Sequence, residues 1–366
     1  MDQKAVVRPV SLPRDRRVLV ISDIHGNLPF LKGLLKKAGF SSSDILIVLG
    51  DILEKSTGSL DTLRYLMDLS GTHTVYFVQG NCDATPLGFL SGMWPDDVTA
   101  RYGGFWGEKS TWVAMAHQAG VSVDHPRTYP AARKAIEARF PEELAFLRRM
   151  PTILLHENYL FVHGGVPRED HLEDLRAWDC MKNDAFLRQN HTFHRWVIVG
   201  HWPVSLYHPD IPAANPLILP DRHIVSIDGG CTLKEDGQLN ALILPREPGG
   251  DFAWLAYDGL PTVVALEDQA PSPDPLNIRW GHSGLEVLEP GEEFSRCRHL
   301  ETGREVDIPT DFLREGPQGT YCQDVTDYRL PVKAGDALSL LRQTSRGALV
   351  KKDGVTGWYL GRLARP

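Results

Sequence analysis

The chain has 366 residues, which is enough for one large domain with a substantial core and a second, smaller domain. Its 39 basic and 47 acidic residues give a net charge of −8, which argues against a large surface for a nucleic acid duplex or an anionic membrane. The N-terminal segment lacks the apolar core of a signal peptide, and no stretch is long and apolar enough to cross a membrane. Five scattered cysteines form no CxxC pair, so we expect a cytoplasmic protein with free thiols.

Apolar runs rich in β-branched residues recur along the first two thirds of the chain and predict buried strands. They are VLVIS (18–22), ILIVLG (45–50), VYFVQG (75–80), YLFVHGG (159–165), WVIVGH (196–201) and IVSIDGG (224–230). The segments LPFLKGLLKKAGF and SLDTLRYLMDLSG, which follow the first two runs, have helical periodicity, and residues 130–150 predict a helical insertion. This alternation of strands and helices predicts an α/β sheet layered with helices.

The last hundred residues have a different character. The segment EDQAPSPDP (267–275) is rich in proline and acidic residues, which is typical of a linker. Beyond it, short alternating runs are separated by turn residues, and this pattern predicts a small β-barrel. We therefore expect an α/β domain over residues 1–260, a linker over 261–276 and an all-β domain over 277–366.

Nearly every predicted strand of the first domain ends in a side chain that can bind a metal ion. In open α/β sheets, ligands bind in the crevice beyond the carboxyl ends of the strands, so these side chains are expected to meet at one place. One HGG or GD motif is more often structural, but five such motifs in order favour a metal site. The predicted ligands are Asp23, His25, Asp51, Asn81, His163 and His201.

The types of ligand point to two metal ions. A pair of divalent cations needs a bridging carboxylate, further ligands on each side and open positions for water and substrate. Asp23, His25 and Asp51 would hold one ion, and Asp51 would bridge to a second ion held by Asn81, His163 and His201. A mixed set of carboxylate, amide and imidazole ligands suits manganese, iron or zinc better than magnesium.

The ordered motifs DIHGN, GD, GN, HGG and GH, closed by IDGGCTLKEDGQLNALIL, resemble the calcineurin-like metallophosphoesterase superfamily over about residues 16–247. Within it the chain is most similar to the PPP-type branch, which contains bacterial serine/threonine phosphatases and dinucleoside tetraphosphate hydrolases. The resemblance implies a four-layer fold, in which two mixed β-sheets form a sandwich flanked by helices. It also implies in-line attack on a phosphoester by a metal-bridging hydroxide, with Asp51 as the bridging ligand and Asp23 as the residue that holds the hydroxide.

The chain departs from the PPP pattern where that pattern has Arg-Gly-Asn-His-Glu. In the family the histidine, oriented by its acidic neighbour, protonates the leaving oxygen, and an arginine at the first position clamps the phosphate. Here Gln79 is neutral and Cys82 replaces the histidine, while Asp83 keeps the acidic partner and is a candidate catalytic residue. Two interpretations of Cys82 remain open, because a thiol can donate a weak hydrogen bond but free cysteines are also among the most buried residues.

A second departure lies in the motif Gly-Asp-x-x-Asp-Arg-Gly, in which Lys55 replaces the arginine and so keeps the charge but not the bidentate fork. Lys55, Asn81, Arg168 and Trp202 are therefore candidate substrate-binding residues, although a lone arginine such as Arg168 is more often a solvated surface residue and Trp202 could equally pack in the core.

Three functions remain open at this point. The first is hydrolysis of phosphomonoesters, including phosphoproteins. The second is hydrolysis of phosphodiesters or dinucleoside polyphosphates, which the GNCD motif favours because it resembles that of small phosphodiesterases in the same superfamily. The third is a non-catalytic partner-binding protein that has kept its metal ions.

The segment from about Tyr328 is similar to bacterial SH3-like barrels. Such a module would bind a peptide or cell-wall fragment, or cap the catalytic domain. Trp358 and Tyr359 would contact a ligand or belong to the barrel core.

Overall fold

The computed structural model describes residues 3–247 and 249–365. The chain divides into two compact units. The first comprises Met1–Pro203, Pro216–Leu233 and Gly237–Gly259, and the second comprises Val204–Asn215, Lys234–Asp236 and Leu260–Pro366. In the described part of the chain, no helix combines the length and apolarity that a membrane span requires.

The first unit contains eleven strands and eight helices among its described residues. Its strands are β1 (Val7–Pro9), β2 (Val18–Ile21), β3 (Ile45–Val48), β4 (Thr74–Phe77), β5 (Ile153–Leu155), β6 (Tyr159–Val162), β7 (Trp196–Val199), β8 (Leu217–Leu219), β9 (Ile224–Ser226), β10 (Leu239–Ile243) and β11 (Ala253–Tyr257). Its helices are α1 (Leu28–Lys37), α2 (Ser59–Ser70), α3 (Thr85–Leu90), α4 (Asp96–Trp106), α5 (Thr111–Gln118), α6 (Tyr129–Arg139), α7 (Pro141–Arg149) and α8 (Ala177–Met181). Each apolar run that predicts a strand overlaps one of the observed strands.

Two mixed sheets form the frame of this unit. One has the strand order β1-β5-β6-β7-β9-β8 and the other β11-β10-β2-β3-β4. Strands β2, β3 and β4 run parallel, as do β6, β7 and β9, so each sheet has one edge at which several carboxyl ends meet. The mixed α/β architecture predicted from the sequence is confirmed.

The first unit contains two hydrophobic cores, and successive side chains of a buried strand such as β2 point alternately into one and the other. Val18 and Val20 of β2 pack with Phe161 and Ile198 of the other sheet, so this core fills the space between the two sheets. The intervening residues of β2 face the opposite side, where they pack with leucines of α1, α2 and α7. Because successive side chains of a strand point to opposite faces, a continuous apolar run such as VLVI indicates a strand buried on both sides.

The second unit consists of short strands among its described residues. They are β12 (Thr262–Ala265), β13 (Asn277–Ile278), β14 (Leu285–Glu289), β15 (Phe294–His299), β16 (Glu305–Pro309), β17 (Leu313–Gly316), β18 (Gly319–Cys322), β19 (Val325–Thr326), β20 (Ala337–Thr344), β21 (Gly347–Lys352), β22 (Val355–Tyr359) and β23 (Leu363–Ala364). Five of them form an antiparallel sheet in the order β22-β21-β20-β12-β23. Strand β12 lies inside the segment 261–276, which the sequence led us to expect as a linker.

Tyr359 is fully buried in the core of this five-stranded sheet, and its hydroxyl donates a hydrogen bond to the carbonyl of Glu267 over 2.8 Å. The indole of Trp358 donates a hydrogen bond to the carbonyl of Thr326, also over 2.8 Å. Of the two interpretations that the sequence left open for these aromatic residues, the structure places Tyr359 in the core.

Candidate metal centre

The six predicted ligands follow parallel strands of the two sheets at their carboxyl ends. Asp23 and His25 follow β2, Asp51 follows β3 and Asn81 follows β4, whereas His163 and His201 follow β6 and β7. The structure brings the side chains of Asp51, His163 and His201 together, and likewise those of His25, Asp51 and Cys82, with potential ligand atoms within 4.8 Å of one another in each group.

Asp51 lies between two imidazoles, and each of its carboxylate oxygens faces one of them. Its Oδ2 is 3.7 Å from His25 Nε2, and its Oδ1 is 3.3 Å from His163 Nε2. His25 Nε2 is also 3.8 Å from Oδ1 of Asp23. A carboxylate that presents one oxygen to each of two ligand groups has the arrangement that a bridging ligand requires.

Main-chain and carboxylate groups fix the orientation of the three imidazoles. The Nδ1 atoms of His25 and His163 are 3.1 Å and 2.6 Å from the carbonyls of Leu53 and Leu49, respectively. A carbonyl can only accept a hydrogen bond, so Nδ1 of each ring carries a proton and Nε2 faces the centre. In His201 the roles are reversed, because Nε2 is 2.7 Å from Asp184 Oδ1 and Nδ1 is left as the ligand atom.

Several buried polar atoms at this centre have no hydrogen-bond partner. Among the described residues they include Oδ1 of Asp23, Oδ1 of Asn81 and Nε2 of His163. An unpaired polar atom in the interior is costly, and native proteins satisfy nearly all such atoms. A carboxylate oxygen, an amide oxygen and an imidazole nitrogen are suitable donors for a divalent cation, so the residues present fit the metal ions that the sequence predicted.

The titration behaviour of the centre also favours cations. Burial opposes the charged form of both Asp51 and His163, yet the neighbouring imidazoles lower the pKa of Asp51. The negative charges of Asp51 and Asp23 raise the pKa of His163 to about 10. A buried site that draws a proton onto an imidazole this strongly carries excess negative charge, which a metal ion would neutralise.

The backbone at the ligands is unusual. Asp23, His25, Asp51 and His201 all have positive φ, between 49° and 68°, a region that non-glycine residues rarely adopt. Close packing accompanies this conformation: a Cβ atom on Gly200 would lie only 1.9 Å from Ser22 Oγ and 2.3 Å from Asp23 Oδ2. The glycine therefore lets the strand end approach the first ligand, and the His201 amide donates a hydrogen bond to Asp23 Oδ2 over 2.9 Å.

The Cys82 thiol is buried beside this centre. Cys82 is 4% exposed, and the side-chain amide of Asn81 donates a hydrogen bond to its Sγ over 3.4 Å. Burial, with the negative charge of Asp51, raises the pKa of the thiol well above its usual value. The thiol therefore lies next to Asn81 rather than exposed to solvent.

Asp83 is fully buried and holds the loops of the centre in place. Its Oδ1 accepts hydrogen bonds from the amides of Ile52 and Leu53 at 2.9 Å and 3.2 Å, and its Oδ2 accepts one from Gly80 at 3.0 Å. Burial and the charge of Asp51 raise the pKa of Asp83 to about 7. The carboxyl group thus joins the loop after β3 to the turn after β4, which is a positioning contact.

The four predicted substrate-binding residues have different surroundings. Asn81 belongs to the centre itself, and the Lys55 ammonium lies 4.1 Å from the centre of the Trp106 ring. Arg168 donates to the carbonyl of Asp170 within its own loop over 3.1 Å, and Trp202 is partly buried directly after His201. Gln79 at the missing clamp position donates to the carbonyl of Leu147 over 3.4 Å.

Sequence reasoning missed three polar residues at the centre. Asp184 accepts the hydrogen bond from His201, and Lys182 lies 3.5 Å from the same imidazole nitrogen while it pairs with Asp184. The hydrogen bonds from His201 and Lys182 lower the pKa of Asp184. Asp228 is fully buried, and burial and the charge of Asp23 raise its pKa well above the usual value. Its IDGG motif was visible in the sequence, but no feature of the KND segment marked Lys182 and Asp184.

Comparison with known proteins agrees with the family resemblance that the sequence motifs indicate. Residues 16–230, which are more than half of the chain, match the model of the calcineurin-like phosphoesterase family. The chain belongs to this family, whose members are hydrolases that use divalent metal ions. A search of curated proteins found no significant match.

Solved structures with a similar fold include three phosphoesterases. One, provisionally described as a diadenosine tetraphosphatase, is 18% identical, and the match covers 70% of this chain and all of the other with a TM-score of 0.41. A protein serine/threonine phosphatase from Saccharomyces cerevisiae is 12% identical, with 71% of this chain and 85% of the other covered and a TM-score of 0.38. A metallophosphoesterase from Sphaerobacter thermophilus is 17% identical, with 66% and 88% covered and a TM-score of 0.36.

Proposed function

We propose that the chain is a dimetal phosphoesterase that hydrolyses phosphomonoesters, with Asp23, His25, Asp51, Asn81, His163 and His201 as metal ligands. The observation that carries this proposal is Asp51, whose two oxygens face His25 and His163 in the manner of a bridging ligand. Two divalent cations, when bound, supply an activated water nucleophile near neutral pH and neutralise charge on the phosphoryl oxygens. Manganese, iron and zinc all suit this ligand set.

The chain's own residues orient and confine the reaction. Leu49, Leu53 and Asp184 fix which nitrogen each imidazole presents, and Asp83 holds the loops that carry Asp51 and Asn81. The His201 amide holds Asp23 through Oδ2, so Oδ1, which has no hydrogen-bond partner within the described structure, is suited to face a cation. The cationic groups next to the ligands, Lys55 and Lys182, would attract the phosphoryl group.

One observation favours a second candidate function, the hydrolysis of phosphodiesters or dinucleoside polyphosphates. The thiol of Cys82 is a poor proton donor because burial raises its pKa, and Gln79 provides no positive charge. A diester carries less negative charge than a monoester dianion, so it needs fewer cationic residues to bind.

Turnover of nitrophenyl phosphate and of bis-nitrophenyl phosphate by the manganese-loaded protein distinguishes the two functions. We expect faster turnover of the monoester, and the Asp51→Asn variant supplies the background rate. A clear preference for the bis-ester would replace the first proposal by the second. Turnover no higher than that of Asp51→Asn on either ester would leave the chain a non-catalytic partner-binding protein.

We further propose that residues 1–260 form the catalytic domain, with the four-layer arrangement of its superfamily, and that the C-terminal region contains an SH3-like barrel that binds a peptide. The antiparallel sheet formed by β12 and β20–β23, with Tyr359 in its core, supports the barrel. Titration of isotope-labelled full-length protein with a peptide library would test it, and shifts confined to residues 328–365 are expected.

A further inference from the structure

Helix α4 lies on the surface and carries three aromatic side chains. Thr99 is its only buried residue, and Phe105 near its end is 79% exposed. The ring of Phe105 meets that of Trp106 edge to face, with 4.9 Å between the ring centres, and Tyr102 lies 6.5 Å from Trp106. Tyr102 and Trp106 are half-buried, so Phe105 is the exposed member of this group. A large aromatic ring left exposed beside other aromatic side chains marks a place where a ligand can bind.

Two contacts attach this cluster to the loop after the bridging ligand. The Tyr102 hydroxyl donates a hydrogen bond to Glu54 Oε2 over 2.8 Å, and the ammonium of Lys55 lies 4.1 Å from the centre of the Trp106 ring. Glu54 and Lys55 follow Asp51 closely in sequence, and Glu54 is fully buried, so the loop is firmly held. The aromatic cluster therefore borders the metal centre.

The combination of groups defines the chemistry of a ligand. The Lys55 ammonium lies over one face of the Trp106 indole, at a spacing typical of cation–π pairs, and the exposed ring of Phe105 next to it supplies a flat apolar surface. The complementary ligand has negative charge directly next to a planar apolar group. A phosphoryl group attached to an aromatic ring or to a nucleoside meets this description, whereas a phosphoryl group on a short alkyl chain has no planar part to stack.

We propose that Lys55, Trp106 and Phe105 form a platform that selects phosphoesters with a planar aromatic group close to the phosphorus. This inference rests on the proposed phosphoesterase function and adds the class of substrate. Lys55 contacts the phosphoryl oxygens and the exposed ring of Phe105 stacks on the planar group, while Trp106 holds both side chains in place through its contacts with them.

Binding of phosphonates, which are not hydrolysed, tests the platform without reference to turnover. Calorimetric titration of the manganese-loaded full chain would compare methylphosphonate, phenylphosphonate and the phosphonate analogue of adenosine monophosphate. We expect at least one of the two aromatic ligands to bind about 3- to 10-fold more tightly than methylphosphonate, the gain typical of one aromatic contact. Preference for the phenyl compound points to an aryl ester, and preference for the adenosine compound points to a nucleotide.

Variants identify the rings responsible. Phe105→Leu and Trp106→Leu should each lose most of this preference, whereas Trp254→Leu, which changes an exposed tryptophan on β11, should keep it. Equal affinity of the wild-type protein for all three ligands, or a preference that survives in both platform variants, would overturn the platform but leave the phosphoesterase proposal standing. Failure of methylphosphonate and both aromatic ligands to bind would overturn both.

Discussion

The backbone amide of Cys82 donates a hydrogen bond to Oδ1 of Asp51 over 2.9 Å, so the residue at the position of the family's acid supports the proposed bridging ligand through its main chain. This bond does not depend on the side chain at position 82. The thiol itself is buried, and its pKa lies well above the usual value because of burial and the charge of Asp51. The hydrogen bond, rather than thiol chemistry, is the contribution of Cys82 that the geometry supports.

The first prediction concerns Cys82→Ser. Because the amide of residue 82 is retained, the variant should keep its metal ions and retain turnover of nitrophenyl esters within about tenfold, whereas loss of a general acid costs about 10² to 10⁴. Steady-state kinetics and elemental analysis of the metal content measure both quantities. Complete loss of turnover with normal metal content would assign the thiol a direct chemical role.

The second prediction concerns Asp184, which fixes the ring of His201. Removal of the carboxylate in Asp184→Ala should weaken metal binding about 10- to 100-fold, as is typical when a partner of a ligating histidine is lost. Competition with a chelator measures this affinity. Asp184→Asn should recover part of it because the amide oxygen can still accept the His201 proton. Asp179→Asn, which removes an exposed ion pair with Arg176, is the matched control and should bind metal normally.

The third prediction concerns Asp83, which accepts three main-chain hydrogen bonds. Asp83→Asn keeps one acceptor oxygen and places an NH₂ group against amide donors, so we expect the free energy of unfolding to fall by about 3 kcal/mol. Denaturant unfolding of this variant and of Asp61→Asn, an exposed position on α2, measures the difference. If Asp83→Asn has the stability of the wild-type protein but no turnover, Asp83 acts in the reaction itself, as the sequence first indicated.

The fourth prediction concerns pH and the pair formed by Arg17 and Asp44. Arg17 donates to both carboxylate oxygens of Asp44, at 3.0 Å and 2.8 Å, and this lowers the pKa of Asp44 from its usual 3.8. A lowered pKa in the folded state contributes stability above the unfolded-state pKa, and this contribution is lost as pH falls through the folded-state value.

Asp44→Asn should therefore destabilise the protein by about 1–3 kcal/mol at pH 7, and the difference from the wild-type protein should shrink below about pH 4. Thermal unfolding across this pH range measures the effect, with Asp15→Asn at an exposed position as the control. A difference that does not change with pH would show that the Asp44 charge contributes little to stability.

The grouping of the predicted ligands in space could be expected from the sequence, because each follows an apolar run and the strands that carry them, β2-β3-β4 and β6-β7, are adjacent in chain order within their sheets. Asp184 was not predictable, because its place beside His201 depends on tertiary packing: a Cβ atom on Gly164 would lie 2.7 Å from the carbonyl of Met181. Strand β12 was not predictable from the sequence either, because it too depends on contacts with distant parts of the chain. Its four residues, TVVA, pair with β20 and β23, which lie more than seventy residues further along the chain. Helix α4 contains Gly103 and Gly104, which weaken the helical pattern.

If Asp23, His25, Asp51 and His201 bind metal ions as we propose, their positive φ angles couple metal binding to the folding equilibrium. Each such angle costs about 1–2 kcal/mol at a residue with a side chain, and repulsion between neighbouring carboxylates adds to that cost when no cation is present. Bound cations would offset both costs and so stabilise the loops that carry the proposed ligands. Chelation should loosen these loops before the sheets, and amide hydrogen exchange should quicken first at residues 23–26, 51–55 and 201–203, well before the strands open.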